Sequence, residues 1–74
     1  MIDKIITIIS KILNVPSADI TPETEIGEPA EWDSMRNVMI FDEIEKQFSV
    51  KIDQSSLVDL ETVQDIADLV NSLK

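Results

Sequence analysis

Five consecutive residues, Glu31-Trp32-Asp33-Ser34-Met35, concentrate the chemistry that this chain of 74 residues can offer. They fall where a long proline-bearing stretch gives way to helical periodicity. Ser34 is therefore expected at the amino end of a helix, exposed, fixed by a rigid element and close to the positive end of the helix dipole. A phosphodiester attached to such a hydroxyl would sit where free backbone N–H groups favour negative charge. A serine or aspartate at a helix start is ordinarily only a cap, because its oxygen accepts from an N–H of the first turn. Either Asp33 or Ser34 can take that part here. Within the next turn, Met35, Val38 and Met39 form an apolar strip flanked by Arg36 and Asn37, placed to meet a partner protein or an attached group.

The residue types that are missing narrow the chemistry further. The chain has no cysteine, histidine or tyrosine, so the commonest general bases and the best nucleophile are absent. No disulfide or thiolate metal site can form, and only carboxylate sites for hard cations remain. Gly27, the only glycine, lacks the closely alternating oxygen ligands of a calcium loop. No segment sets two carboxylates in an obviously buried site. A self-contained enzyme is therefore not expected, and a chain that carried acyl groups as thioesters would need its thiol from outside.

Six basic residues against fifteen acidic ones give a net charge of −9. Nucleic-acid phosphates would be repelled, whereas partners with basic patches would be drawn in, faster at low salt. The same charge also serves plain solubility. With 43% apolar residues the chain can build one core, and 1–74 reads as a single domain near the lower size limit for an unstapled fold. No apolar run approaches the roughly 20 residues of a membrane span. Asp3 and Lys4 break any signal-peptide pattern. A soluble, cytoplasmic, monomeric protein is the expectation.

Three main helices and a short one should position the segment. Ile2, Ile5, Ile6, Ile9 and Leu13, widened by Ile8 and Ile12, make residues 1–14 an amphipathic helix that packing must hold, since β-branched side chains cost helix propensity. Asn14 and Pro16 end it. Residues 15–33 form a connection with Pro16, Pro22, Pro29 and Gly27, in which Thr21-Pro22-Glu23 suggests one short helical turn. Val15, Ile20, Ile26 and Trp32 should pin it to the core. A helix over 34–48 presents Ile40, Phe41, Ile44 and Phe48 inward and Asp42, Glu43, Glu45 and Lys46 outward. Val50 and Ile52 turn inward, and Asp53-Gln54-Ser55-Ser56 could cap a short helix through Leu57, Val58 and Leu60. Thr62 and Asp65 resemble a capping box for a last helix over 62–73, with Val63, Ile66, Ala67, Val70 and Leu73 on its apolar face. The fold class is all-α, a small antiparallel bundle.

Residues 33–63 resemble the acyl carrier protein family, whose signature is Asp-Ser-Leu opening the second helix of a four-helix bundle. The register holds without gaps: Ser34 falls on the modified serine, Val38, Ile40 and Ile52 on aliphatic positions, and Ile44 and Phe48 on the core. Thr62-Val63 matches the family's Thr-Val at the last helix, and Ile20-Thr21-Pro22 its loop motif. The resemblance implies an acyl-carrier-protein-like bundle that is not an enzyme. It implies a phosphoprotein bearing covalent 4′-phosphopantetheine on Ser34, placed there from coenzyme A by a phosphopantetheinyl transferase that supplies base and magnesium. Asp33 would help orient that encounter. The arm brings the thiol that the chain lacks and takes up an acyl or aminoacyl group as a thioester. Implied partners are this transferase, acyl or aminoacyl ligases, and acyltransferases or synthases with basic and apolar docking patches.

The departures from the pattern are specific. Met35 stands for leucine, a volume-conserving change. Trp32 replaces a residue that is small in many relatives, and reads as a core anchor. Arg36 and Met39 occupy positions that are commonly acidic in fatty-acid-synthase carriers. The docking strip of Met35, Arg36, Val38 and Met39, with Asp42 and Glu43 beyond it, is thus more apolar and less acidic. It points to a dedicated ligase or transferase, not general fatty acid synthesis. The competing reading is an acidic helical interaction module with no covalent group, in which Met35, Val38 and Met39 fill a partner's groove.

Overall fold

The computed structural model describes residues 1–74 as an all-α bundle. Its elements are α1 (Ile2–Leu13), a 3-10 turn (Ser17–Asp19), α2 (Ser34–Phe48), α3 (Gln54–Leu57) and α4 (Val63–Leu73). Helix α1 packs against both α2 and α4. The isoleucine-rich face explains its place: Ile5, Ile8, Ile9 and Leu13 are buried, and Ile2, Ile6 and Ile12 pack around the core as half-buried neighbours. Asn14 ends α1 in the left-handed conformation (φ 59°). The N–H of Val15 then returns to Ser10 O at 3.0 Å, closing the helix end before Pro16 bars continuation.

The core joins that face to Ile40, Phe41, Ile44 and Phe48 of α2, Val63, Ile66, Ala67 and Val70 of α4, and Ile20 and Trp32 from the long connection. Both main stripes fall where periodicity put them, except that Leu73 is exposed at the end of α4. The connection is anchored as expected. Its helical turn, however, forms at Ser17–Asp19 instead of Thr21-Pro22-Glu23, which make a hydrogen-bonded turn closed by Thr24 N–H on Thr21 O at 3.0 Å. The Thr24 hydroxyl accepts from Thr21 N–H at 2.9 Å and favours that tight turn over a helical one.

The same connection satisfies the start of α4. Four N–H groups at a helix start lack intrahelical partners. Here Val63 N–H donates to Thr24 O at 3.0 Å and Gln64 N–H to Pro22 O at 2.9 Å. Asp65 N–H donates to Thr62 Oγ1 at 3.2 Å, and the Asp65 carboxylate accepts from Thr62 N–H at 3.1 Å. Asp65 thus completes the capping box in place of the usual glutamate or glutamine. It accepts from Glu61 N–H as well, at 2.9 Å. These N–H bonds, Glu61 first and Thr62 second, hold its pKa below the usual 3.8 against a smaller opposing effect of desolvation.

Helix α3 is shorter than its sequence suggested. It ends at Leu57, and Val58 is 81% exposed instead of packed. Asp53 occupies the capping position without a side-chain bond. The loop before α3 is held instead from α2, where the Glu45 carboxylate accepts from Ile52 N–H at 2.6 Å. No helix is long and apolar enough to cross a membrane.

Candidate functional site

Ser34 is the first residue of α2, and what precedes it decides its state. Asp33 adopts extended backbone (φ −91°, ψ −178°), and its Oδ1 accepts from Arg36 N–H at 2.9 Å. Of the two candidates for the cap, the aspartate takes it. The Ser34 hydroxyl is left exposed and engages in no hydrogen bond within the chain. The N–H groups of Ser34 and Met35 precede the first intrahelical bond and have no partner in the bundle; the first backbone bond of the helix is donated by Asn37 N–H to Asp33 O at 2.9 Å. The end of α2 therefore offers two free donors and a free hydroxyl side by side.

Two neighbours shape this end, and one of them ties it down. Trp32 is buried at 4% exposure, as a core anchor should be, and its indole N–H donates to Asn37 Oδ1 at 2.9 Å. Gly27 lies at φ +84° in the turn closed by Glu28 N–H on Glu25 O at 3.0 Å. Only glycine reaches that conformation freely. Ile26, Gly27, Trp32, Asp33, Ser34 and Asn37 together line an open cleft beside the serine. The role of Asn37 was not legible in the sequence, because a bond five residues along a chain follows no helical spacing.

The strip one turn away is exposed as expected, with Met35 at 74%, Val38 at 60% and Met39 at 49%. Arg36 lies beside it, its Nη1 2.9 Å from Asp33 Oδ2. Asp42 is exposed, while Glu43 is half-buried and accepts from the Gln47 side-chain amide at 2.8 Å. Glu45 is spent on Ile52 and is no free surface carboxylate. No group of carboxylates gathers closely enough to hold a metal ion.

The family described as phosphopantetheine attachment site matches residues 3–70, almost the whole chain. The chain belongs to the acyl carrier protein family. It is 34% identical to the acyl carrier protein of Thermobifida fusca (strain YX) over 70 residues, 95% of this chain and 89% of that protein. It is 29% identical to that of Thermosynechococcus vestitus over 72 residues, 97% of this chain and 89% of that protein. It is also 36% identical over 73 residues to acyl carrier protein 1, chloroplastic, of Hordeum vulgare, of which it spans about half, 48%.

Acyl carrier proteins are non-catalytic and hold 4′-phosphopantetheine covalently, and phosphopantetheinyl transferases and acyl-handling enzymes act on them. The residues at the head of α2 fit that group. An unengaged, exposed hydroxyl can be esterified, and two unpartnered N–H groups at a helix amino end suit the negative charge that comes with it.

Proposed function

We propose that this chain is a single, monomeric carrier domain that bears 4′-phosphopantetheine on Ser34 and delivers acyl or aminoacyl thioesters to a dedicated ligase or transferase. The observation that carries this reading is the division of labour at the head of α2: Asp33 caps the helix, and the Ser34 hydroxyl stays free. In the loading step the Ser34 oxygen attacks the pyrophosphate phosphorus that bears the pantetheine arm of coenzyme A. A phosphorus–oxygen bond forms there, the bridging phosphorus–oxygen bond breaks, and adenosine 3′,5′-bisphosphate leaves. The transferase takes the serine proton. The arm then supplies the thiol that the chain itself lacks.

Within this reading Asp33 orients the encounter indirectly, by fixing the helix end that presents the serine. Met35, Arg36, Val38 and Met39, with Asp42 and Glu43, form the docking face. That face combines an apolar strip with an Asp33–Arg36 pair that cancels its own charge, and this supports a partner surface less basic than general fatty acid synthesis would use. Two experiments test the proposal. Intact mass after incubation with coenzyme A and a broad-specificity transferase should rise by one phosphopantetheine in the wild type and stay unchanged in Ser34→Ala; modification of the variant would remove Ser34 from the assignment. Acceptance by a generic fatty-acid elongation enzyme as readily as its own carrier would end the dedicated-partner reading.

A further inference from the structure

The stretch between Lys11 and Lys46 carries nine carboxylates and a single cation, Arg36. That cation stands in the first turn of α2, which contains no acidic residue, although a positive side chain there opposes the helix dipole. Its guanidinium reaches back past Ser34. Nη1 lies 2.9 Å from Asp33 Oδ2 and 3.5 Å from Glu31 O, both on the amino-terminal side of the serine.

The two oxygens of Asp33 do separate work: Oδ1 accepts from Arg36 N–H as the cap, and only Oδ2 holds the guanidinium. The ion pair is open to solvent, with side-chain exposures of 44% and 53%, and such pairs are weak. Arg36 can therefore leave Asp33 without unravelling the helix start. A phosphodiester on Ser34 would add a further negative charge to an already acidic segment, in which the guanidinium is the one cationic group. Arginine suits the task because its planar fork pairs with two phosphate oxygens.

We propose that Arg36 is a positioning residue for the base of the prosthetic arm: on loading of Ser34 its guanidinium exchanges Asp33 Oδ2 for the phosphodiester, while Asp33 Oδ1 keeps the cap. This rests on attachment at Ser34. Unloaded, Arg36 and Asp33 cancel. Loaded, the three charges sum to −1, the sign that suits the amino end of a helix, whereas without the guanidinium two adjacent residues would carry −2, so loading stabilises the fold when Arg36 is present.

The test compares melting temperatures of the unloaded and loaded full chain, with loading verified by mass, at low salt and at about 1 M salt, where screening acts within about 3 Å. In the wild type, loading should raise Tm by about 2–4 °C at low salt, and the rise should shrink at high salt. Arg36→Gln should keep only the smaller part of the rise that the helix dipole and free N–H groups supply, and Arg36→Lys should fall between the two. The phosphorus-31 resonance of the loaded chain should shift between wild type and Arg36→Gln. An equal Tm rise in Arg36→Gln, with an unmoved resonance, overturns the role of Arg36 and leaves Ser34 intact. A chain whose mass never changes overturns both.

Discussion

The indole N–H of Trp32 donates to Asn37 Oδ1 at 2.9 Å, and the bond straddles Ser34 in sequence. It ties the last anchor of the long connection to the second turn of α2 from the core side. The backbone that carries the serine is thus held on both flanks while the hydroxyl stays exposed. With attachment proposed at Ser34, that combination lets a partner find the hydroxyl in one place.

Removing the acceptor should expose the value of this clamp. Asn37→Leu leaves a buried indole donor without a partner, at a cost of about 1–3 kcal/mol. Urea unfolding should show a lower midpoint at an unchanged slope. The double variant Trp32→Phe with Asn37→Leu removes donor and acceptor together and should recover part of the loss. Strictly additive losses would mean the bond contributes nothing.

The cap and the proposed attachment point should separate cleanly. Asp33→Ala removes the capping oxygen and should cost about 0.5–2 kcal/mol. Ser34→Ala should stay within about 0.5 kcal/mol of the wild type, because no bond within the bundle uses its hydroxyl. Thermal melts of the unloaded proteins measure both. A Ser34→Ala loss as large as that of Asp33→Ala would show that the serine caps the helix after all.

Asp65 gives the fold an acid-sensitive element. Its folded pKa lies below the usual 3.8, chiefly through the N–H groups of Glu61 and Thr62. A carboxylate so depressed binds fewer protons when folded than when unfolded. Its contribution is complete above about 3.8 and disappears as pH falls through the lower folded value. Asp65→Asn should melt below the wild type at pH 7, and the two should converge as the pH is taken below that window. A gap of constant size down to strongly acid pH would contradict the shift.

Met39 probes the choice of partner. It is 49% exposed, so Met39→Glu should not disturb the core. The change restores the acidity that fatty-acid-synthase carriers commonly show at this position. It should raise kcat/KM with a fatty-acid elongation enzyme roughly ten-fold, mainly through association rate, with the gain shrinking at high salt. No gain would separate partner choice from the charge of this strip.

The sequence by itself determined the three main helices, because their signals are local, but not the short turn at Ser17–Asp19 or the end of α3. Isoleucines three and four residues apart make α1, Ile40, Phe41, Ile44 and Phe48 make the buried face of α2, and Thr62 with Asp65 starts α4. The place of Ser34 at a helix head was legible for the same reason. Tertiary structure alone decided how the loops use their polar groups. That Pro22 and Thr24 cap α4 through their carbonyls, some forty residues upstream, depends on how the connection lies across the bundle. The same holds for Glu45 on Ile52 N–H and for Asn37 under Trp32. It also settled which of two adjacent capping residues does the capping. Asp33 and Ser34 are equally able by type, and the extended backbone of Asp33 placed its carboxylate, not the serine hydroxyl, against Arg36 N–H. Side-chain periodicity is a property of the chain, whereas the pairing of distant donors and acceptors is set only when packing brings them within reach.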